Sequence, residues 1–271
     1  MKYIPVLTIA GSDSGGGAGI QADLKTFSAL GCFGTSAITA ITAQNTLGVQ
    51  AVYGIPPEMI AAQIKAVLDD IKPAAIKIGM INRPEVTHII KTQLLAYPGV
   101  PVILDPVMVS TSGHRLIEPE TVQQLIENLF PLVSLVTPNI DEAEILADMK
   151  IKNVDDMAFA GEKIMDRGAN AVLLKGGHLS GPVISDILIQ KNTAPIILES
   201  TFIQTKNLHG TGCTLSSAIA SEMAKGHELL TAVKLAKQYI ASALQEGSGI
   251  NTGSGNGPLN HFFNPQKLII L

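Results

Sequence analysis

The stretch Val6-Leu7-Thr8-Ile9-Ala10-Gly11-Ser12-Asp13-Ser14-Gly15-Gly16-Gly17-Ala18-Gly19 contains the pattern that the rest of the chain repeats. It starts with a short apolar run and continues as a glycine-rich turn into a helical pattern at Ala18–Leu30. A strand that is apolar on both faces is typical of a parallel sheet covered by helices on both sides. The stretch therefore predicts a buried first strand over Val6–Ala10, a turn and a helix.

The same alternation continues along the chain. Further strands are predicted at Ser36–Thr42, Ala75–Ile78, Val100–Leu104, Val133–Thr137 and Ala171–Leu174. Helical patterns lie between them at Pro57–Asp70, Arg83–Ala96, Pro119–Leu129, Asp141–Ala147 and Asp155–Arg167. An edge hairpin (Ile184–Gln190 with Ile196–Phe202) and two helices (Cys213–Lys225 and Leu229–Gln245) follow. Repeated strand–helix units imply right-handed crossovers. We expect an α/β fold: a three-layer α/β/α sandwich with a mostly parallel central sheet, formed by residues 1–271 as one domain.

The composition of the chain limits the kinds of molecule that it is expected to bind. Hydrophobic residues make up 46% of the chain and charged residues 15%, the net charge is −4, and tryptophan is absent. Without a basic stripe or a set of stacking aromatics, neither nucleic acid nor an anionic membrane is an expected partner. The two cysteines favour a reducing compartment, and no segment has the roughly 18 apolar residues of a membrane helix. The expected location is the cytoplasm.

In doubly wound folds, ligands bind beyond the carboxyl ends of the strands, so the loops at that edge are the candidates for a site. No G-x-x-x-x-G-K-[ST] motif is present, which excludes a P-loop enzyme. The glycine-rich segment Gly11–Gly19 has two interpretations that the residues alone leave open. It is either a mobile turn or a loop that covers a ligand.

The segment Asn207-Leu208-His209-Gly210-Thr211-Gly212-Cys213-Thr214 is more specific, because it leads from a strand into a helix with two closely spaced glycines. Successive N–H groups at a helix N-terminus can converge on an anion. Cys213 falls in the first helical turn, where a thiolate is stabilised, although most free cysteines are small buried hydrophobes. We expect a functional cysteine with a lowered pKa.

Polar residues also end three predicted strands. Asp105 follows one strand, Asn139 and Glu142 follow the next, and Lys175 ends a third. Amide and carboxylate oxygens suit a hydrated Mg²⁺, and a lysine suits a phosphate. Helix capping by Asn139 and a surface salt bridge of Lys175 are the alternatives. Together these residues predict a phosphate and metal site on one rim.

Several segments together resemble the ribokinase-like superfamily and, within it, the hydroxymethylpyrimidine/phosphomethylpyrimidine kinases of thiamin biosynthesis. They cover nearly the whole chain and comprise residues 10–26 and 42–49, Lys77-Ile-Gly-Met80, Asp105-Pro-Val-Met108, Thr137-Pro-Asn-Ile-Asp-Glu142, Lys175-Gly-Gly-His178, His209-Gly-Thr-Gly-Cys-Thr214 and Gly257-Pro-Leu-Asn-His261. The resemblance implies ATP, Mg²⁺, a homodimer and two successive phosphorylations of 4-amino-5-hydroxymethyl-2-methylpyrimidine. Most members of the superfamily have an aspartate as base where this chain has Cys213.

The resemblance also implies roles for individual residues. Gln44 would read the aminopyrimidine edge, since its amide can accept from the amine and donate to the ring nitrogen. The remaining roles are an apolar ring pocket (Gly11, Ala18, Met80, Val107), nucleotide contacts (Asn139, Lys175, Thr211), metal contacts (Asp105, Glu142) and phosphoryl transfer (Gly210, Gly212, Cys213).

Three other functions remain open at this point. A pyridoxal or pyridoxine kinase has the same fold, but its pyridine substrate lacks the exocyclic amine that Gln44 would recognise. A cysteine hydrolase built on His209 and Cys213 would leave Asn139, Glu142 and Lys175 unexplained. A non-catalytic ligand-binding module would not need the phosphate-side groups.

Overall fold

The computed structural model describes residues 1–109, 116–177 and 183–271. Its strands are β1 (Pro5–Asp13), β2 (Phe33–Asn45), β3 (Gly48–Gly54), β4 (Ala75–Ile78), β5 (Val102–Leu104), β6 (Leu135–Val136), β7 (Ala171–Leu174), β8 (Val183–Gln190) and β9 (Ile196–Thr201). Over the described ranges they form one sheet in the order β3-β2-β1-β4-β5-β6-β7-β8-β9. The α/β expectation is confirmed.

The centre of the sheet is parallel and its edges are antiparallel. Strands β2, β1, β4, β5, β6 and β7 pair in parallel, whereas β3 pairs antiparallel with β2, and β8 and β9 continue antiparallel from β7. The predicted hairpin at Ile184–Gln190 is therefore confirmed. Strand β3 is absent from the prediction because most of its side chains are exposed, so it lacks the apolar pattern of a buried strand.

Helices cover both faces of this sheet. They are α1 (Gly19–Ala29), α2 (Pro57–Ala66), α3 (Pro84–Ala96), α4 (Pro119–Leu129), α5 (Ile140–Ala147), α6 (Val154–Asp166), α7 (Thr211–Ala224) and α8 (Leu229–Gly247). Helices α2 to α6 share one apolar core with the sheet, and α1, α7 and α8 share the other. Within the described ranges, no helix combines the length and the hydropathy needed to cross a membrane.

Alternation along the strands explains why there are two cores. In β5, Val102 and Leu104 enter the core of α2 to α6, whereas Ile103 enters the opposite core. Successive side chains of a strand point to opposite faces, so an uninterrupted apolar run is buried on both. The parallel strands all end at one edge of the sheet, and this edge therefore gathers the polar residues that follow them.

Candidate active site

A cavity of about 620 Å³ lies at the carboxyl edge of the parallel strands, closed on one side by the start of α7. All of the residues predicted from the sequence line it: Gly11, Ala18, Gln44, Met80, Asp105, Val107, Asn139, Glu142, Lys175, Gly210, Thr211, Gly212 and Cys213. Its volume lies in the range typical of small-molecule sites. The structure thus brings together residues that are up to about two hundred positions apart in the chain.

One end of the cavity carries the predicted ring pocket. Gly11 leaves room for Met80, because a Cβ on Gly11 would lie 2.4 Å from the terminal methyl carbon of Met80. Met80 itself is buried. Ala18, Val107 and Gln44 complete this end of the cavity. The arrangement provides an apolar slot with one polar amide.

Gln44 is held by neighbours on both its backbone and its side chain. Its main-chain N–H donates to Ser14 Oγ at 2.8 Å, and Ser14 Oγ in turn donates to the Gln44 carbonyl oxygen at 2.7 Å. Its side-chain oxygen is 3.2 Å from Thr42 Oγ1, and its side-chain nitrogen is 3.3 Å from His209 Nε2. The amide is therefore presented to the cavity from a fixed position.

Asp13 organises the glycine-rich loop, a role that the sequence analysis did not identify. Strand β1 continues to this residue, three positions beyond the predicted end. The Asp13 carboxylate accepts N–H groups from Gly15 (2.7 Å), Gly17 (3.0 Å) and Ala18 (2.8 Å), and its Oδ2 is 2.9 Å from His209 Nε2. Burial acts to raise the pKa of Asp13, but the hydrogen bonds from His209 and Ala18 lower it overall. These contacts hold the loop against the cavity and favour the ligand-covering interpretation.

A second part of the cavity wall is formed by the first turn of α7. Gly210 has a φ of +87°, and a Cβ there would lie 1.8 Å from the Gly17 carbonyl oxygen. A Cβ on Gly212 would lie 3.3 Å from both Asp105 Oδ2 and Lys175 Nζ. Only glycine at 210 lets the helix start approach the loop this closely, and glycine at 212 leaves room for the ion pair beside it. The N–H groups at this end of α7 are positioned to bind an anion.

Lys175 and Asp105 form an ion pair within the cavity rather than on the surface. Lys175 Nζ lies 3.0 Å from Asp105 Oδ1, and the two side chains are 16% and 3% exposed. Burial acts to lower the pKa of Lys175, but the carboxylates of Asp105 and Glu142 raise it above its ordinary value. Lys175 therefore stays charged and can meet a phosphate.

Asn139 and Glu142 cap α5, as the alternative interpretation of Asn139 predicts. Asn139 Oδ1 accepts the Glu142 N–H at 2.9 Å, and Glu142 Oε2 accepts the Asn139 N–H at 2.8 Å, which is a capping box. Burial raises the pKa of Glu142 to about 7, although Lys175 acts to lower it. In the described ranges the side-chain NH₂ of Asn139 makes no hydrogen bond, so it remains a donor for a ligand.

The Asp105 and Glu142 carboxylates are the candidate metal contacts. Across the described ranges, no three His, Cys, Asp or Glu side chains come together as a metal site. Mg²⁺ keeps several waters and needs only one or two protein carboxylates when phosphate oxygens complete its shell. The two carboxylates fit that mode of binding and do not fit a metal cage made by the protein alone.

Cys213 is in the predicted place, but its pKa shifts in the opposite direction from the prediction. Burial and the charges of Asp23 and Asp105 together raise the pKa of this thiol to about 11, although the Lys77 ammonium acts to lower it. The helix N-terminus therefore does not produce a thiolate at neutral pH. The burial of this thiol and the effect of two carboxylates from distant segments on its pKa depend on tertiary structure and could not be predicted from the local sequence.

Lys77 and Asp23 are buried groups next to the site. Lys77 Nζ lies 2.9 and 3.0 Å from the two Asp23 carboxylate oxygens. Asp23 also accepts hydrogen bonds from Thr8 Oγ1 at 2.6 Å and from Ser217 Oγ at 2.7 Å. A lysine in a buried strand requires a charged partner. The pattern Ile76-Lys77-Ile78 in the sequence therefore indicates a buried ion pair, although it does not identify Asp23 as the partner.

The hydrolase interpretation is not supported by the geometry. His209 Nε2 faces Asp13 and Gln44, and no hydrogen bond joins His209 to Cys213 within the part of the chain that the structure describes. His178, the last residue of one motif, lies outside the described residues.

Known proteins resemble this chain in sequence and in fold over most of its length. The profile of the phosphomethylpyrimidine kinase family matches residues 13–260. A hydroxymethylpyrimidine/phosphomethylpyrimidine kinase of Rhizobium meliloti is 50% identical over 94% of this chain and 96% of its own. The crystal structure of a phosphomethylpyrimidine kinase from Clostridium difficile 630 has 51% identity and a TM-score of 0.79, covering 89% of this chain and 99% of its own. The Staphylococcus aureus pyridoxal kinase in complex with pyridoxal has 34% identity and a TM-score of 0.88, covering 97% and 94%.

Proposed function

Because the chain belongs to the phosphomethylpyrimidine kinase family, we propose that its cavity places the hydroxymethyl group of an aminopyrimidine against the start of α7, where phosphate is transferred. The chain is a kinase of thiamin biosynthesis. It transfers phosphate from ATP to 4-amino-5-hydroxymethyl-2-methylpyrimidine and then to the resulting monophosphate, which becomes the diphosphate. The observation that carries the assignment of the site is that Gln44 and the Gly210–Cys213 turn line one cavity.

Gln44 recognises the ring. Its amide can accept a hydrogen bond from the exocyclic amine and donate one to the neighbouring ring nitrogen, while Met80 and Val107 contact the ring faces. A pyridine ring has no amine at that place and can form only one of the two hydrogen bonds with the Gln44 amide. Recognition of the aminopyrimidine edge therefore distinguishes this substrate from pyridoxal.

The start of α7 binds the phosphoryl group as it moves. The N–H groups of Gly212 and Cys213 supply fixed donors, and Lys175 supplies a charge beside them. The side-chain NH₂ of Asn139 and the hydroxyl of Thr211 contact the nucleotide. Asp105 and Glu142 would hold Mg²⁺ through its water shell, and the ion would neutralise charge on the phosphate oxygens.

Cys213 takes part mainly in the first phosphorylation. The substrate there is a neutral alcohol that must lose a proton, whereas the second step starts from an anionic phosphate. With a pKa of about 11, the thiol is ionised to about one part in 10⁴ at pH 7. Phosphoryl transfer is usually loose, so proton removal is late and a small thiolate fraction can serve.

A coupled ADP-release assay with four acceptors tests the proposal. The acceptors are the hydroxymethylpyrimidine, its monophosphate, pyridoxal and pyridoxine. We expect both pyrimidines to be phosphorylated with the higher kcat/KM. A kcat/KM for pyridoxal far above those of both pyrimidines would instead establish the second candidate, which the similarity to the S. aureus pyridoxal kinase favours.

Three further expectations accompany this function. The continuous sheet from Pro5 to Thr201 supports a single domain over residues 1–271. A homodimer and a cytoplasmic location remain predictions. Size-exclusion chromatography with light scattering tests the first of these two.

A further inference from the structure

The contact between Gln44 and His209 raises a question of hydrogen positions. Asp13 Oδ2 lies 2.9 Å from His209 Nε2, and a carboxylate can only accept, so this ring nitrogen must carry the hydrogen. The Gln44 side-chain nitrogen, 3.3 Å from the same His209 nitrogen, is also a donor. Two donors therefore face each other when the amide nitrogen lies on this side. The lowered pKa of Asp13 is consistent with an ionised acceptor.

The other end of the amide shows the complementary mismatch. Thr42 Oγ1 is 2.9 Å from the Ser12 carbonyl oxygen and 3.2 Å from Gln44 Oε1. The hydroxyl has a single hydrogen, and the closer carbonyl receives it. Thr42 therefore presents a lone pair to the Gln44 oxygen, and two acceptors face each other.

Turning the amide by half a rotation about its last bond removes both mismatches. The Gln44 oxygen then accepts from the His209 N–H, and the Gln44 NH₂ group donates to Thr42 Oγ1. Oxygen and nitrogen of a side-chain amide are assigned from their hydrogen-bond partners, and here both partners select the same orientation.

We propose that His209, fixed by Asp13, holds the Gln44 amide with its oxygen toward α7 and thereby determines which heterocycle edge the site accepts. His209 is a positioning residue for specificity, because it acts through Gln44. The inference rests on the proposed function, since it concerns the same aminopyrimidine site.

This orientation also determines which way the substrate faces. In the pyrimidine, the ring nitrogen, the carbon bearing the amine and the carbon bearing the hydroxymethyl group follow one another. When the amine binds the Gln44 oxygen and the ring nitrogen binds the NH₂ group, the hydroxymethyl group lies beyond the oxygen. That side is the His209 side, where Gly210 and α7 begin. The opposite amide orientation would direct the hydroxymethyl group away from the anion-binding turn.

The test compares two ligands whose edges are mirror patterns. One is 4-amino-2,5-dimethylpyrimidine, which has a donor beside an acceptor and cannot be phosphorylated. The other is its 4-oxo analogue, which has an acceptor beside an N–H donor. Binding of each is measured by isothermal titration calorimetry with wild type, His209→Leu and His209→Gln. Leucine removes the N–H group, whereas glutamine can place an amide N–H at the position of Nε2.

We expect wild type to prefer the 4-amino ligand by at least tenfold, since the wrong edge leaves polar groups unpaired. In His209→Leu the amide is free to turn, and the ratio of the two Kd values falls at least fivefold. In His209→Gln the ratio is restored. If the role of His209 were merely structural, the substitution would weaken the binding of both ligands equally. An unchanged ratio of the two Kd values in His209→Leu therefore overturns the proposal.

If His209→Leu does not fold, Thr42→Val replaces it in the comparison. This nearly isosteric change removes the other partner of the Gln44 amide. A smaller loss of the same preference supports the proposal, and an unchanged ratio overturns it. Failure of the proposed function is distinguishable, because wild type would then bind neither pyrimidine and would release no ADP with the hydroxymethyl compound.

Discussion

Lys77 and Asp23 form an ion pair in which both side chains are 0% exposed. The attraction of the carboxylate raises the pKa of Lys77 above its ordinary value even though burial acts to lower it. Lys77 belongs to β4 and Asp23 to α1, Lys77 lines the cavity, and its positive charge acts to lower the pKa of Cys213. It thus links the core of the fold to the site.

Replacement of Lys77 by methionine should destabilise the protein by about 3–5 kcal/mol, because it leaves the Asp23 charge buried without its partner. Urea unfolding measures this loss. The double variant Lys77→Met/Asp23→Leu should be more stable than the single variant, although the Thr8 and Ser217 hydroxyls lose their acceptor. A loss below about 1 kcal/mol in Lys77→Met would contradict a dominant electrostatic role.

Replacement of Cys213 by alanine should lower kcat for the hydroxymethylpyrimidine about 10²–10⁴-fold, the usual contribution of a positioned acid or base. The effect on the monophosphate should be smaller, because its attacking oxygen is already anionic. In wild type, kcat of the first step should rise between pH 7 and pH 9, since the thiolate fraction of a group with a pKa of about 11 grows with pH. Rates within a few-fold of wild type for both substrates of the alanine variant would exclude a base role.

Replacement of Gln44 by methionine keeps the volume and removes the amide. We expect kcat/KM for both pyrimidines to fall about 10- to 100-fold, corresponding to about 1–3 kcal/mol of lost buried hydrogen bonds. The KM for ATP should stay unchanged, because Gln44 lies at the ring end of the cavity. Gln123→Met, on an exposed face of α4, is the matched control. An unaltered KM and kcat for the pyrimidines would remove Gln44 from the site.

Replacement of Gly212 by alanine separates activity from stability. Alanine is favourable inside a helix, so the melting temperature should stay the same or rise. The added methyl group would crowd Asp105 and Lys175 at 3.3 Å and obstruct the anion-binding turn, so kcat should fall at least tenfold. Gly249→Ala, with no atom within 4 Å of the added carbon, is the control. Equal kcat values for the two variants would show that phosphate does not pass Gly212.

Replacement of Glu142 by glutamine tests the raised pKa. The folded protein keeps the Glu142 proton up to about pH 7, whereas the unfolded chain releases it near 4.5. The contribution of Glu142 to stability is therefore present below pH 4.5 and is lost as the pH rises to 7. The melting temperature of wild type minus that of the glutamine variant should be smaller at pH 7.5 than at pH 5. A pH-independent difference in melting temperature would contradict the raised pKa.

The sequence predicted the parts of the fold that depend on local apolar pattern. Strands β4 and β7 and helix α4 have the predicted bounds, because their buried runs are sharply delimited. Strand β3 lacks such a pattern, and it exists because β2 offers it an edge on which to pair. A contact between strands cannot be read from the residues of one strand.

The sequence also identified the residues that line the cavity, because parallel strands end at a common edge. It did not identify Asp13, although an aspartate two residues before Gly15 is typical of an Asx turn. The predicted direction of the Cys213 pKa shift was wrong for another reason. The shift depends on burial of the thiol and on charges from β4, α1 and the end of β5, which only the tertiary structure brings to it.

The hydrogen-bonded pair of Asp13 and His209 joins positions 196 residues apart. During translation the aspartate leaves the ribosome long before its histidine has been made. The strands and helices between them can pair as they emerge, and the glycine-rich loop can contact Gln44, but its contacts with His209 and Gly210 form only once the start of α7 has been made. The nascent chain therefore remains catalytically incomplete until its last quarter has been synthesised, and a prematurely terminated product that retains most of the sheet has no assembled pocket.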